Sequence, residues 1–492
     1  MSKIFVVGLG PGNIDDLTLG AIRRMEGGKP NYLRTEKHPS VQYMRERSLE
    51  YTSFDHIYDQ EASFEEVYET IVSRLIESAR EHGEINYYVP GNPVVAENTV
   101  RMLLDQNECE IQLVSGMSFI EPTLEVAKAD PVDGLKILDG IGLDGFQVDI
   151  NSHQIFTQVY NKRVMSEVKL VLMDIYPEDY GVILVHKGGM GESEIVERIP
   201  LHQIDRSEHI GSLTSLFVPR INKSQHGIHD FSDIQRIMKR LRDEDGCPWD
   251  REQDHLSIRG AVLEEAYELV EALQDDDPDH IVEELGDLLL QVVFHAQIGH
   301  ENGDFNPIQV TSTLANKLIT RHPHVFFEKN VDNSEEVVYN WNKIKYANRN
   351  ITTLSEKLRN IPHLPALLRS YKVQEKAADV GFDWDVIEGP SDKVGEELAE
   401  VLEAASTHGP GSLVVESEVG DLLFAAVNLS RFLEVNPEVA LGRTIEKFTK
   451  RLEEMEYMAD RMGIVMEEMT LEELDSLWDK VKLRENGETR TD

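Results

Sequence analysis

Short apolar runs alternate with amphipathic stretches of helical length through roughly the first 220 residues. Residues 4–7 (IFVV) run into Gly-Leu-Gly-Pro-Gly, and an amphipathic stretch follows from Asp15 to about Glu26, which predicts strand, loop and helix. The same alternation predicts a helix over 63–81, a strand over 85–89, a helix over 93–105, a strand over 111–114 and a helix after Ser115-Gly116. Elements in this order build an α/β sheet. Two further apolar runs, VILVH and SLFVP, lie between about 182 and 219, and the polar, aperiodic NKSQHGIHD places a boundary near residue 228. Beyond Phe231 long Glu-, Leu- and Ala-rich helical stretches replace strands, an all-α half. The expected organisation is an α/β domain over 1–222, a linker over 223–230, helical segments over 231–350 and 351–483, and a polar tail over 484–492.

The helical half repeats itself with a period of roughly 130 residues. Trp249-Asp250 matches Trp384-Asp385, Glu264-Glu265-x-x-Glu268 matches Glu396-Glu397-x-x-Glu400, and Glu284-x-x-Asp287 matches Glu418-x-x-Asp421. Lys317-x-x-x-Arg321 then matches Lys447-x-x-x-Arg451, and Trp341-x-x-x-Lys345 matches Trp478-x-x-x-Lys482. The spacings differ by a few residues, 16 against 18 between the paired acids and 20 against 27 before the last Trp. Changes of that size fall in loops between helices. An EExxE triplet alone arises by chance in so acidic a chain; the same acids, bases and Trp-Lys in one order twice do not.

Charge narrows the partners. With 49 basic and 90 acidic side chains the 492-residue chain carries a formal charge of −41, which opposes binding to nucleic acid by phosphate neutralisation. A small anionic substrate stays open if cations or local Lys and Arg receive it. Cys109 and Cys247 stand 138 apart, neither a disulfide framework nor a zinc spacing, which fits a reducing cytoplasm. The start, MSKIFVVGLGPG, has no apolar signal core, and no apolar run approaches the length of a membrane span. The expectation is a cytoplasmic protein with small-molecule partners.

The repeated acids point to a metal. At 100° per residue Glu284 and Asp287 share one helix face, while Leu285, Leu288, Leu289, Leu290, Val292, Val293 and Phe294 surround them, so this helix is expected to be buried nearly all round. Buried carboxylates need positive compensation, and no Lys or Arg lies in that segment. Glu418, Asp421 and Asn428 repeat the pattern. Packing against the preceding helix brings Glu265 and Glu268, or Glu397 and Glu400, to the same place. Four carboxylates without interspersed His or Cys are hard oxygen ligands that favour Mg²⁺ or Mn²⁺; a di-iron bundle would want Glu-x-x-His. The alternative is that these acids solvate helix faces and pair with distant cations. Lys317/Arg321 and Lys447/Arg451 each point two cations along one face, suited to polyphosphate oxygens beside a metal or to a solvated edge. Trp341 and Trp478 either stack on a base or plug a core.

DGCPWD, LEEAYELVEAL, EELGDLLLQVVFHAQI and KLITRHPHVF, with GEELAEVLEA, EVGDLLFAAVNLSRFLEVNPEVAL and LWDKVK in the second copy, resemble the MazG family of nucleoside triphosphate pyrophosphohydrolases over nearly all of 231–483. The resemblance implies an all-α fold of tandem repeats forming a helical bundle, a homodimer, and Mg²⁺-dependent conversion of a nucleoside triphosphate and water to the monophosphate and pyrophosphate. It makes Glu397, Glu400, Glu418 and Asp421 catalytic metal ligands, and Lys447, Arg451, Trp478 and Lys482 nucleotide contacts. The first copy keeps the counterparts Glu265, Glu268, Glu284, Asp287, Lys317, Arg321, Trp341 and Lys345. Glu396 or Glu264 is available as a base.

In the first half, Gly8-x-Gly10-Pro11-Gly12 lets backbone approach a ligand, but Asn13 stands where a dinucleotide fingerprint requires Gly. With LTLGA, VPGNPVVAENTVRML and VSGMSFIEPTLEVAKADP the segment resembles the tetrapyrrole (corrin/porphyrin) methylase family over about 1–220. That resemblance implies S-adenosylmethionine held near Pro11, Gly91, Asn92, Val95, Ser118 and Phe119. Gly91-Asn92-Pro93 stands where Gly-Asp-Pro is usual, and Phe-Ile-Glu-Pro replaces a small-residue run. The whole resembles a YabN-type fusion of a methylase-like domain with a MazG domain, a pyrophosphohydrolase. The alternative is a methyltransferase whose helical half is a regulatory or scaffolding module.

Overall fold

The computed structural model describes residues 2–488 except 59, 62, 328–330, 332 and 348–350. The chain forms two compact units, Met1–Ile234 and Gln235–Asp492. The division falls after the segment 223–230, whose Lys223–His226 helix is held to the first unit by Lys223, which bonds Asn151 and Asp233. The last four residues of the expected tail lie outside the described residues.

The first unit has two five-stranded sheets. Strands β1 (Lys3–Gly8), β2 (Asn31–Leu33), β3 (Thr52–Ser53), β4 (Glu84–Val89) and β5 (Glu110–Val114) form the first, all parallel, in the order β3-β2-β4-β1-β5. The central β1 and β4 are buried on both faces because helices cover both sides of a parallel sheet. Strands β6 (Leu135–Asp139), β7 (His153–Thr157), β8 (Gly181–His186), β9 (Ile195–Pro200) and β10 (Thr214–Val218) form the second, in the order β6-β7-β10-β8-β9 and antiparallel except for β6 with β7.

Helices begin where capping chemistry allows. The expected 15–26 helix is shorter: a 3₁₀ turn at Ile14–Asp16 precedes α1 (Leu19–Met25), capped by the Thr18 hydroxyl. Helix α2 (Phe64–His82) opens with a Ser63/Glu66 capping box, stops at Gly83, and packs Val67, Ile71, Leu75 and Ile76 against Ile4, Ile85 and Tyr87 of the sheet. The expected 93–105 helix starts only at Asn98, as α3 (Asn98–Asp105). Asn92 Oδ1 accepts from the Val94 amide at 3.1 Å and Ala96 takes φ +55°, so the chain turns sharply before it can wind. Helix α4 (Ile120–Ala127) follows β5.

The second unit is helical throughout its described residues. Helices α5 (Ala261–Asp275) and α6 (Pro278–Asn302) pack as a pair, followed by α7 (Pro307–Arg321) and α8 (Ser334–Ala347). After α9 (Ala366–Ala378) the second pair is α10 (Glu388–His408) with α11 (Leu413–Phe432), followed by α12 (Pro437–Arg461) and α13 (Leu471–Glu488). Gln374 donates to the Phe424 carbonyl at 2.8 Å, seating α9 on α11.

Helix α6 is not buried all round: Leu285, Leu289, Leu290 and Val292 are exposed in the single chain, as are Val419, Leu423 and Phe424 of α11. Periodicity reports that a face is apolar, not whether its cover comes from the same chain.

Candidate functional site

The acids converge. Ligand oxygens of Glu265, Glu268 and Glu284 lie within 4.8 Å of one another, and so do those of Glu397, Glu418 and Asp421. Each copy thus assembles three of its four candidate acids, with a different one outside, Asp287 in the first and Glu400 in the second. Both outsiders remain close enough to be felt. The Glu265 carboxyl is held above its ordinary value by burial first, then by Asp287 and Glu268. Glu400 is raised by Glu397, then by burial and Glu418.

Two observations test whether a divalent cation suits these residues. Glu284 is only 8% exposed and its Oε2 has no hydrogen-bond partner, while Oε1 faces His280 Nε2 at 3.3 Å. A buried carboxylate oxygen without a partner is costly unless something positive meets it. The donor set is all carboxylate oxygen, which fits a hard cation. In the second copy a side chain absent from the sequence-derived candidates supplies positive charge: Lys393, one turn before Glu397, reaches its Oε1 at 2.6 Å and Glu396 at 3.1 Å. Its i, i+4 spacing was visible in the sequence.

The bases and tryptophans also meet in parallel. The Arg321 guanidinium lies 5.0 Å over the Trp341 ring and Arg451 lies 5.2 Å over Trp478. His322 packs edge-on to Trp341 and Phe448 tilts against Trp478. Both indoles are half-buried, Lys317, Lys447 and Lys482 are exposed, and Lys345 lies near the Tyr346 ring.

In the first unit the C-terminal ends of β1, β2, β4, β5, β7 and β8 open on a cavity of about 590 Å³, the position and size typical of small-molecule sites in α/β folds. Pro11, Gly91, Asn92, Val95, Ser118 and Phe119 all line it. Gly8 serves the framework: a Cβ there would lie 2.5 Å from the Gly91 carbonyl oxygen, so only Gly lets the loops after β1 and β4 close together. The side chains of Asn92 and Ser118 are engaged locally, Asn92 with the Gly116 carbonyl and Ser118 with Glu121.

Three further residues of this wall escaped sequence reasoning, because each is a lone polar residue whose setting is created by the fold. Glu97 is buried, ion-paired through Oε1 to Arg34, and its Oε2 has no partner. Burial outweighs Arg34 and pushes the Glu97 carboxyl up to about 7. His38 is also buried, with Nδ1 unpartnered, and burial lowers it to about 4. Ala96, Gln158 and Lys187, at φ of +55°, +57° and +53°, line the same cavity, strain of the kind that gathers at ligand sites.

Comparison with known proteins agrees with this division. The family described as Tetrapyrrole (Corrin/Porphyrin) Methylases matches residues 3–205, and the MazG nucleotide pyrophosphohydrolase domain matches residues 253–326, within the first copy of the repeat. YabN of Bacillus subtilis is 40% identical over 484 residues, covering 98% of this chain and 98% of its own. The nucleoside triphosphate pyrophosphohydrolase/pyrophosphatase MazG of Thermotoga maritima is 45% identical over 252 residues, 51% of this chain and 95% of that protein. A nucleoside triphosphate pyrophosphohydrolase of Escherichia coli (strain K12) is 43% identical over 251 residues, again 51% of this chain and 95% of the relative. No described helix is long and apolar enough to cross a membrane. The chain belongs to the YabN-type family, in which a tetrapyrrole methylase-like domain is fused to a MazG domain.

Proposed function

We propose that the helical unit is a Mg²⁺-dependent nucleoside triphosphate pyrophosphohydrolase, with Mn²⁺ as an alternative ion, that converts a triphosphate and water to the monophosphate and pyrophosphate. The observation that carries this reading is the convergence of three carboxylates on paired helices twice in one chain, one of them with a buried unpartnered oxygen. Glu397, Glu400, Glu418 and Asp421 are the catalytic ligand set; Glu265, Glu268, Glu284 and Asp287 are its counterpart in the first copy. These carboxylates would hold divalent ions, which when bound would supply charge neutralisation at the phosphates and Lewis-acid activation of water. Arg321 and Arg451, oriented by Trp341 and Trp478, fork onto phosphate oxygens, and Lys317, Lys345, Lys447 and Lys482 add point charges. Water oxygen bonds to the α-phosphorus as the α–β anhydride breaks, and Glu396 or Glu264 accepts the proton. Positioning and charge stabilisation supply most of the rate.

The repeat units span 231–350 and 351–483, after a methylase-like domain over 1–222. The exposed apolar faces of α6 and α11 fit a homodimer, and the free Cys109 and Cys247 fit a reducing cytoplasm. Incubation with each nucleoside triphosphate and Mg²⁺, followed by ³¹P NMR, is expected to show monophosphate and pyrophosphate. Diphosphate with inorganic phosphate would reject the reaction class. Unchanged hydrolysis in Glu418→Gln/Asp421→Asn would favour a scaffolding role for the second copy.

The cavity favours a second reading for the first unit, an S-adenosylmethionine site at Pro11, Gly91, Asn92, Val95, Ser118 and Phe119. Calorimetric titration with S-adenosylmethionine tests it, and absence of binding heat would count against it.

A further inference from the structure

The two acid clusters differ in one respect that their shared motif conceals. One turn before Glu397 stands Lys393, whose ammonium contacts both Glu397 and Glu396; at the corresponding place in the first copy, one turn before Glu265, stands Ala261. Among the described residues the first cluster meets His280, which carries charge only when protonated, and the Gln291 amide, which donates to Glu265 at 3.3 Å. Glu397 is 6% exposed, so its contact with Lys393 is partly shielded from water and stronger than a surface pair. Glu284 in the first cluster instead keeps a buried oxygen with no partner.

We propose that Lys393 is a resident counter-cation of the second cluster, so that a divalent ion entering there competes with an ammonium, while an ion entering the first cluster does not. This rests on the pyrophosphohydrolase reading of the acids, and it makes the first copy the tighter ion site of the two. Lys393 is a positioning residue: it acts on the ion through Glu397. A contact of this kind shifts a competing equilibrium by roughly fivefold.

The test is Mn²⁺ uptake by the full chain, read from the loss of the free-ion electron paramagnetic resonance signal. Glu265→Gln/Glu284→Gln leaves the second cluster to report alone, and Glu418→Gln/Asp421→Asn leaves the first. Adding Lys393→Gln to the former is expected to tighten Mn²⁺ binding about fivefold; added to the latter it is expected to change nothing. Unchanged or weaker Mn²⁺ binding on adding Lys393→Gln to the Glu265→Gln/Glu284→Gln chain would overturn the proposal, as would a first cluster that binds Mn²⁺ less tightly than the second. If neither pair of acid substitutions alters uptake, the ions are not on these acids, and the pyrophosphohydrolase reading falls with the proposal. Circular dichroism of each variant identifies any that fails to fold; the wild-type comparison of the two sites by competition with Mg²⁺ uses no Lys393 variant, and a single class of identical sites there would also overturn it.

Discussion

In the α/β unit large side chains such as Phe54, Tyr87, Phe156 and Phe217 are wholly enclosed, whereas in the helical unit Leu285, Leu423 and Phe448 stand about half in solvent. The first unit closes on itself around two sheets, and its unpartnered polar atoms at His38 and Glu97 lie along a cavity. The second builds helix pairs whose acids already meet while much of their apolar surface stands exposed in the single chain. A binding site and a finished core are therefore separate achievements. Sheet registers fix the cavity within one chain, but a helix pair places carboxylates without needing every face covered.

The largest expected effect separates the units by chemistry. Glu418→Gln/Asp421→Asn is expected to slow triphosphate hydrolysis by about a thousandfold, ~4 kcal/mol of barrier, while leaving S-adenosylmethionine titration heats unchanged. Initial rates and calorimetry on one preparation check both halves of that statement. Rates within tenfold of wild type would mean that the first copy carries the activity, and Glu265→Gln/Glu284→Gln would then show the loss.

Stability separates them next. Phe156→Ala opens a hole in a closed core and is expected to cost about 3–5 kcal/mol in chemical denaturation of the α/β unit. Acid sharpens the contrast at His38. Its folded value of about 4 lies below the ordinary 6.5, chiefly through burial, so the fold favours the neutral ring. Stability is therefore intact above pH 6.5 and is lost as pH falls toward the folded value, by on the order of 3 kcal/mol. Denaturation between pH 7.5 and 4.5 is expected to show this slope in wild type and a flatter one in His38→Gln. The smallest effect belongs to the open faces: Leu423→Ala is expected to change chain stability by only about 0.5 kcal/mol. Leu285→Asp/Leu423→Asp is instead expected to shift sedimentation from dimer toward monomer.

Much of this was legible along the chain because period and spacing carry it. Runs such as IFVV announce buried parallel strands, and the doubled order of acids, bases and tryptophans announces the repeat. Strands β2 and β3, of three and two residues, carry too little pattern to be seen, and β6, β7 and β9 mix polar and apolar positions. The late start of α3 depends on a side-chain bond from Asn92 that no periodicity encodes. The Arg34–Glu97 pair joins residues 63 apart in sequence, so only the neighbouring of β2 and β4 makes it a pair. Lys393 was readable by spacing, yet its importance comes from the burial of Glu397, which is a property of packing.

In the proposed function, side-chain oxygens from adjacent helices trap divalent ions that grip a triphosphate. A crystal of the full chain grown with Mn²⁺ and a nonhydrolysable triphosphate analogue, with anomalous scattering recorded for manganese, tests it most directly. Anomalous peaks bridging Glu397, Glu418 and Asp421 to phosphate oxygens are predicted. Carboxylates turned apart, with no manganese peak and no nucleotide beside them, would contradict it.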